Sequence, residues 1–209
     1  MVSTNFVIRS SITLIIVLCM SGCQPVPDVP ACTLGEKNFL NDADFSAEAA
    51  SSRSKHWTGI QHAGEKSFRV TFEGPIAVIE KTGSQPWFLY RQRLKTTQLA
   101  DVKMAFSAEV KLTPAISGLA VGKMEIPGGL RLSAMGPSGK PILRLESRIP
   151  ADSEWDDWQF LQVVVQVPEA TKALELSFFH ESEGTLRVRN PSLREVDATS
   201  EHCPLNEPI

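Results

Sequence analysis

The segment from Val102 to Leu112 constrains the fold most strongly, because its side chains alternate with a period of two. Every even position is apolar, and the odd positions are lysine, alanine, serine and glutamate. Successive side chains of a β-strand point to opposite faces of the sheet. We therefore predict a long strand here, with one face in a core and the other in solvent.

The same alternation recurs in other short segments, and runs rich in glycine, proline and serine separate them, which indicates turns. Only residues 42–55 have a helix-like composition, and we expect one short turn there at most. Many short strands with almost no helical pattern predict an all-β protein, an antiparallel β-sandwich. The predicted strands, besides the first, are SFRVTF, PIAVIE, PWFLYRQRL, GLRLSAM, ILRLESR, WQFLQVVVQV, KALELSFFH and TLRVRN.

The N-terminus predicts a cleaved leader. Residues 11–20 are mostly branched aliphatics, but this run is too short for a bilayer-spanning helix, which needs about 20 apolar residues. The following Met-Ser-Gly-Cys sequence, residues 20–23, resembles the lipobox of bacterial lipoproteins. That resemblance implies cleavage before Cys23 and acylation of its thiol, including a palmitate. The alternative is an ordinary cleaved signal peptide with an accidental cysteine.

The domain organisation follows from this leader. Residues 1–22 are the predicted signal peptide, and the lipidated cysteine with its proline-rich tether occupies 23–31. The sandwich domain is expected at 32–203, followed by a short tail at 204–209. In the lipoprotein class an Asp after the lipidated cysteine favours the inner membrane. Gln24 therefore implies a lipid anchor in the outer membrane, with the protein facing the periplasm.

Cysteine usage predicts one disulfide bond. Cys19 leaves with the signal peptide and Cys23 takes lipid, so Cys32 and Cys203 remain at the two ends of the predicted domain. An envelope compartment oxidises thiols, and we predict a bond between these two cysteines. A shared metal site is the alternative, although the four histidines are scattered along the chain.

Composition and motifs argue against several function classes. The formal net charge is −3 and no basic run occurs, so nucleic acid is not an expected partner. No nucleophile motif, zinc-protease motif or phosphate-binding glycine loop is present. We predict no catalytic residue, no cofactor and no metal. The acidic residues Glu154, Asp156 and Asp157 are expected either to bind a cation or sugar hydroxyls, or to form an ordinary exposed loop.

The order of features resembles carbohydrate-binding modules of the galactose-binding-like jelly-roll class. Three features carry the resemblance. An Asn begins the first strand and a Trp follows its loop, and a pair of central strands comes next. The last feature is a closing series in which a Trp precedes a strand, Val-Pro precedes a second strand, and Gly-Thr precedes the final strand. It spans about residues 38–196 and implies a jelly-roll sandwich that binds glycans without catalysis. Members of that class carry an Asp near the position of Asn190, often close to calcium, and this chain does not. The matching segments are 38–57, 86–94, 101–112 and 155–196.

Aromatic rings that stack on sugar rings are the candidate binding residues. Trp57 and Trp158 occupy positions where the family places core or rim tryptophans, and Trp155 lies in the acidic loop. Trp87, Arg91 and Arg93 share one face of a predicted strand and form a candidate site for an acidic or hydroxyl-rich ligand. Both faces of that strand carry large apolar groups, so the sequence does not determine which face points into the core. The alternative to a binding site is that the face with the two arginines is an ordinary solvent-exposed strand face.

These observations together predict a lipid-anchored, non-catalytic binding protein of the bacterial envelope with a polysaccharide ligand. The alternative is a structural or interaction subunit of an envelope assembly. Such a subunit would dock an envelope protein with the same sandwich and have no sugar site.

Overall fold

The computed structural model describes residues 32–51, 55–95, 99–113, 128–150, 157–198, 200 and 203–208. All nine predicted strands are present, and one unpredicted short strand precedes them. The helix-like segment forms a single four-residue helix. The elements are β1 (Thr58–Gln61), β2 (Phe68–Glu73), β3 (Ile76–Lys81), β4 (Phe88–Lys95), β5 (Lys103–Thr113), β6 (Gly128–Met135), β7 (Pro141–Arg148), β8 (Gln159–Gln166), β9 (Ala173–His180), β10 (Thr185–Glu195) and α1 (Ser46–Ala49).

The strands form two five-stranded antiparallel sheets that pack face to face. The first sheet has the order β1-β4-β9-β6-β7, and the second has the order β2-β3-β10-β5-β8. Alternate side chains from both sheets meet in one hydrophobic core. The predicted antiparallel β-sandwich is confirmed.

Aromatic side chains fill the centre of the core. Trp57 is fully buried, and its ring stacks on Phe178 and Tyr90 at centroid distances of 5.1 and 5.7 Å. Phe45 packs against the same tryptophan at 5.6 Å. The indole nitrogen of Trp57 donates a hydrogen bond to the backbone oxygen of Asp42 at 3.2 Å, which satisfies its one polar group.

A buried carboxylate holds the loop before β1. Glu48, in α1, is 4% exposed, and its Oε1 accepts hydrogen bonds from the backbone N–H groups of Lys55, His56 and Trp57 at 2.7, 2.5 and 3.1 Å. Three donors on one oxygen offset the cost of burying a charged group. This contact fixes the position of Trp57 relative to the helix.

The two ends of the domain are joined as predicted. A disulfide bond links Cys32 to Cys203, whose Cα atoms lie 5.0 Å apart across 171 residues of sequence. The C-terminal segment also extends the second sheet, because Asn206 bonds both the N–H and the C=O of Val164, on edge strand β8.

The terminal segments correct one expectation about β5. We expected the odd positions of this strand to meet solvent, but Ala105 is fully buried. It forms a second hydrophobic cluster with Val164, Val196 and Cys203, and Cys32 packs against this cluster. The disulfide-linked ends therefore cover part of the outer face of the second sheet.

The predicted signal peptide, Cys23 and the tether at 23–31 lie outside the described residues. Within the ranges that the structure describes, no helix is long and apolar enough to cross a membrane.

Candidate functional site on the outer face of the first sheet

The structure settles which face of β4 points inward. Phe88, Tyr90 and Leu94 pack in the core, so the arginines predicted as ligand-binding residues, Arg91 and Arg93, point away from it. The outer face of the first sheet is defined here by the outward residues of its strands. It includes Thr58 and Ile60 from β1, Leu89, Arg91, Arg93 and Lys95 from β4, Glu175, Ser177 and Phe179 from β9, Arg131 and Ser133 from β6, and Arg144, Glu146 and Arg148 from β7.

A network of charges crosses this face. The Arg131 Nε atom donates to Glu146 Oε1 at 2.6 Å, and Arg148 Nη2 lies 2.6 Å from Glu146 Oε2. Both arginines also approach Glu181, which follows β9, at 3.8 and 3.5 Å. The Glu146 side chain is only 3% exposed, so its two oxygens are held between the two guanidinium groups.

The network covers an aromatic ring. Phe179 points outward from β9 yet is fully buried. The guanidinium carbons of Arg131 and Arg148 lie 5.2 and 4.9 Å from its ring centroid, within the range of cation–π attraction. Leu89 pairs with Phe179 in the register of β4 and β9 and is also buried. The centre of the outer face is thus a tightly packed layer.

Trp87 lies at one end of this face. It immediately precedes β4, continues the outward-facing alternation of that strand and is half-buried. Its ring meets the imidazole of His62 edge-on at 6.5 Å. The structure therefore brings Trp87, Arg91 and Arg93 to one face. Arg91 is paired there, with its Nη1 atom 2.5 Å from Glu175 Oε2.

The other predicted aromatic residues lie elsewhere. Trp57 is enclosed in the core, so its surroundings are those of a packing residue. Trp158 is half-buried just before β8, in the second sheet, where the guanidinium of Arg189 lies 4.1 Å from its ring centroid. Trp155, Glu154 and Asp156 fall outside the described residues, and Asp157 is exposed.

Sequence reasoning missed most of the charged network on this face. Arg131 and Arg144 lie between apolar neighbours in predicted strands, and Glu146 and Arg148 lie in the same predicted strand as Arg144. Lys95 directly follows a predicted strand that ends at Leu94. That alternation indicated which residues share a face within one strand. It contained no information on which strands are neighbours, and the sheet order supplies that.

A second concave region lies at the edge of the sandwich. A cleft of about 490 Å³ opens between edge strands β1 and β2, with Phe72, Gly59 and Tyr90 among its lining residues. Burial raises the pKa of the Tyr90 phenol well above its ordinary value, and the charges of Glu48 and Asp42 raise it further. The hydroxyl therefore stays protonated and can donate a hydrogen bond there.

Metal-binding geometry is not found in the described part of the chain. No group of three or more His, Cys, Asp or Glu side chains is placed to hold an ion there. Asn190, at the position where the family carries an Asp, has a φ of 52° and lies at a register shift between Arg189 and Ser192 in β10. An asparagine tolerates this left-handed conformation better than most residues.

Comparison with known proteins defines the fold class. No family model matches the chain, and no curated protein matches it. Among solved structures, a carbohydrate-binding module of the CBM4 class aligns at a TM-score of 0.51 and 16% identity, over 75% of this chain and 99% of that one. The chain therefore has the jelly-roll β-sandwich of such modules.

Two multidomain enzymes contain a similar sandwich. The enzymatically active domain of bacteriophage CBA120 tailspike protein 4 aligns at a TM-score of 0.57 and 14% identity, over 76% of this chain and 21% of that one. The Clostridium thermocellum xylanase 10B fragment with its CBM22-1 and GH10 modules, complexed with xylohexaose, aligns at 0.50 and 10%, over 78% and 28%. The chain thus spans about a fifth of the first protein and more than a quarter of the second.

Proposed function

We propose that this protein is a non-catalytic glycan-binding module of the bacterial envelope, anchored by lipid at Cys23. Its binding surface is the outer face of the first sheet. The observation that supports this choice is the arrangement of Trp87, Arg91 and Arg93 on one sheet face, where Arg93 is exposed. The disulfide-linked ends cover part of the opposite face of the sandwich.

The chemistry of this face suits a polysaccharide. An aromatic ring offers a flat apolar surface to a pyranose ring, and guanidinium groups offer several fixed donors to hydroxyl or carboxylate oxygens. Trp87 and Arg93 are separated by six residues of nearly extended chain, about 20 Å at the rise of a β-strand. A chain of several sugar units can contact both ends of such a surface.

Replacing Trp87 by alanine tests the surface. Stacking on one aromatic ring contributes about 0.5–1.5 kcal/mol, so we expect affinity to fall several-fold to about tenfold. Affinity electrophoresis through gels containing a panel of neutral and acidic polysaccharides measures the change. Trp158→Ala is the matched control, because it removes a half-buried tryptophan from the other sheet.

If no polysaccharide in the panel retards the unmodified protein, the glycan-binding proposal is wrong. The protein-docking alternative would then become the working hypothesis, and co-purification from envelope fractions would test it.

The lipid anchor has its own test. Cys23→Ser removes the only thiol in the lipobox position, so we expect this variant to leave the membrane fraction and appear in the soluble envelope fraction. Cys19→Ser is the matched control and should remain membrane-bound, because that residue belongs to the leader. Fractionation followed by immunoblotting reads the result, and a Cys23→Ser protein that stays in the membrane would refute lipidation at this site.

The anchor proposal also has a geometric consequence. The tether joins the domain at Cys32, which packs on the outer face of the second sheet. An anchor at Cys23 would hold that side towards the membrane. The outer face of the first sheet would then be directed away from the membrane.

A further inference from the structure

The charges on the outer face of the first sheet do not balance. The described strands of this sheet, together with Glu181, which follows β9, contribute three carboxylates and six cations. The carboxylates are Glu146, Glu175 and Glu181, and the cations are Arg91, Arg93, Lys95, Arg131, Arg144 and Arg148. The whole chain is formally negative, at −3, so this excess of positive charge is local.

Ion pairs use every carboxylate on this face but only half of the cations. Glu175 is bonded by Arg91, and Glu146 and Glu181 lie between Arg131 and Arg148. The three remaining cations are Arg93, Lys95 and Arg144. All three are exposed, and no carboxylate in the described part of the chain lies within ion-pair distance of them.

The unpaired cations lie close together. In the register of four neighbouring strands, Arg93 pairs with Glu175, Glu175 with Ser133, and Ser133 with Arg144. Three strand spacings separate the two arginines, about 14 Å, and Lys95 lies about 7 Å from Arg93 along β4. The sheet surface between them carries the short polar side chain of Ser133 and the carboxylate of Glu175, which is already paired with Arg91.

The opposite face of the sandwich is arranged differently. Five of its cations have partners within the protein, either carboxylates or backbone carbonyl groups. The pairs are Arg69 with Glu80, Arg187 with Glu73, Arg189 with Glu109, Lys103 with the Cys203 carbonyl, and Arg194 with the Gly35 carbonyl.

We propose that the ligand of the outer face is a carboxylated polysaccharide, a chain of uronic acid residues. This inference rests on the proposed function and specifies its substrate class. Carboxylates at intervals along a chain would be attracted to these three exposed positive charges, whereas a neutral glycan would gain no such attraction. Guanidinium groups match the geometry of carboxylates with two parallel hydrogen bonds.

The test compares two polymers that differ only in charge. The full chain, produced with its own leader and purified with its disulfide intact, is titrated with polygalacturonate and with the same polymer after chemical reduction of its carboxyl groups. We expect at least tenfold weaker binding to the reduced, neutral polymer. We also expect affinity for polygalacturonate to fall as sodium chloride is raised from 50 to 500 mM, because salt screens exposed charges.

Charge-matched variants locate the site. The triple variant Arg93→Gln, Lys95→Gln, Arg144→Gln should bind polygalacturonate about tenfold more weakly, since three exposed charge contacts are removed. The control triple variant, Lys37→Gln, Lys55→Gln, Lys66→Gln, removes the same charge from exposed positions outside this face and should bind normally. Thermal unfolding of both variants verifies that they fold.

Three results would overturn the inference. Equal affinity for the charged and the reduced polymer would exclude carboxylate recognition while leaving glycan binding intact. Equal weakening of polygalacturonate binding in both triple variants would show that the net charge of the protein, and not this group of cations, determines the affinity. Binding of anionic phospholipid vesicles as tight as that of polygalacturonate, and equally lost in the first variant, would assign the patch to membranes. Failure to bind any polysaccharide would instead refute the proposed function.

Discussion

Replacing Cys32 and Cys203 together by serine should lower the free energy of unfolding by about 5 kcal/mol. The bond closes a loop spanning 171 residues of sequence separation, and loop-closure entropy in the unfolded chain grows with the logarithm of that length. A loss of this size is comparable to the whole stability of many domains. Urea unfolding followed by tryptophan fluorescence measures the change in midpoint and slope.

The unmodified protein in the presence of a reductant is the control for this experiment, because it loses the bond without changing the sequence. Its unfolding curve should coincide with that of the double serine variant. A loss below about 1 kcal/mol would show that packing of the terminal segments, rather than the covalent link, joins the ends. Such packing includes Asn206 on the edge of β8.

Substituting Trp57 by alanine should cost about 3–5 kcal/mol of unfolding free energy, the second-largest effect we expect. The side chain is fully buried against Phe178, Tyr90 and Phe45, so its removal leaves a cavity as well as losing buried apolar area. The backbone oxygen of Asp42 also loses its indole donor. Urea unfolding quantifies the loss.

The matched control is Trp87→Ala, which removes a half-buried tryptophan from the end of the outer face. We expect it to change stability by less than about 1 kcal/mol. The conservative variant Trp57→Phe separates packing from binding, because it keeps a buried ring. A folded Trp57→Phe protein that no longer bound polysaccharide would show that Trp57 acts in recognition, contrary to its place in the core.

The two proposals fit one arrangement of the molecule. The lipid anchor would hold the domain on the side of the disulfide, and the face with Trp87 and the unpaired cations would point outward. The edge cleft beside Tyr90 is separate from that face, because it opens between the two sheets rather than on top of one.

Much of the fold was accessible from local sequence patterns. Period-two alternation indicated nine of the ten strands, since the geometry of a strand imposes that period on any half-buried segment. The exception was β1, whose four residues, Thr58–Gln61, are all exposed or half-buried and show no alternation. The Cys32–Cys203 bond was also predictable, because the other two cysteines had separate assignments.

Only the tertiary structure decided the remainder, because strand order and layering depend on contacts between distant segments. The alternation in β4 indicated two faces but did not indicate which one meets the second sheet. The alternation in β5 indicated that its odd positions meet solvent, but the terminal segments bury Ala105 on that face. Glu146 pairs with Arg131 and Glu175 pairs with Arg91, which leaves Arg93 and Arg144 without a carboxylate partner among the described residues. These pairings follow from the register of β4, β9, β6 and β7, which no single segment of the sequence contains.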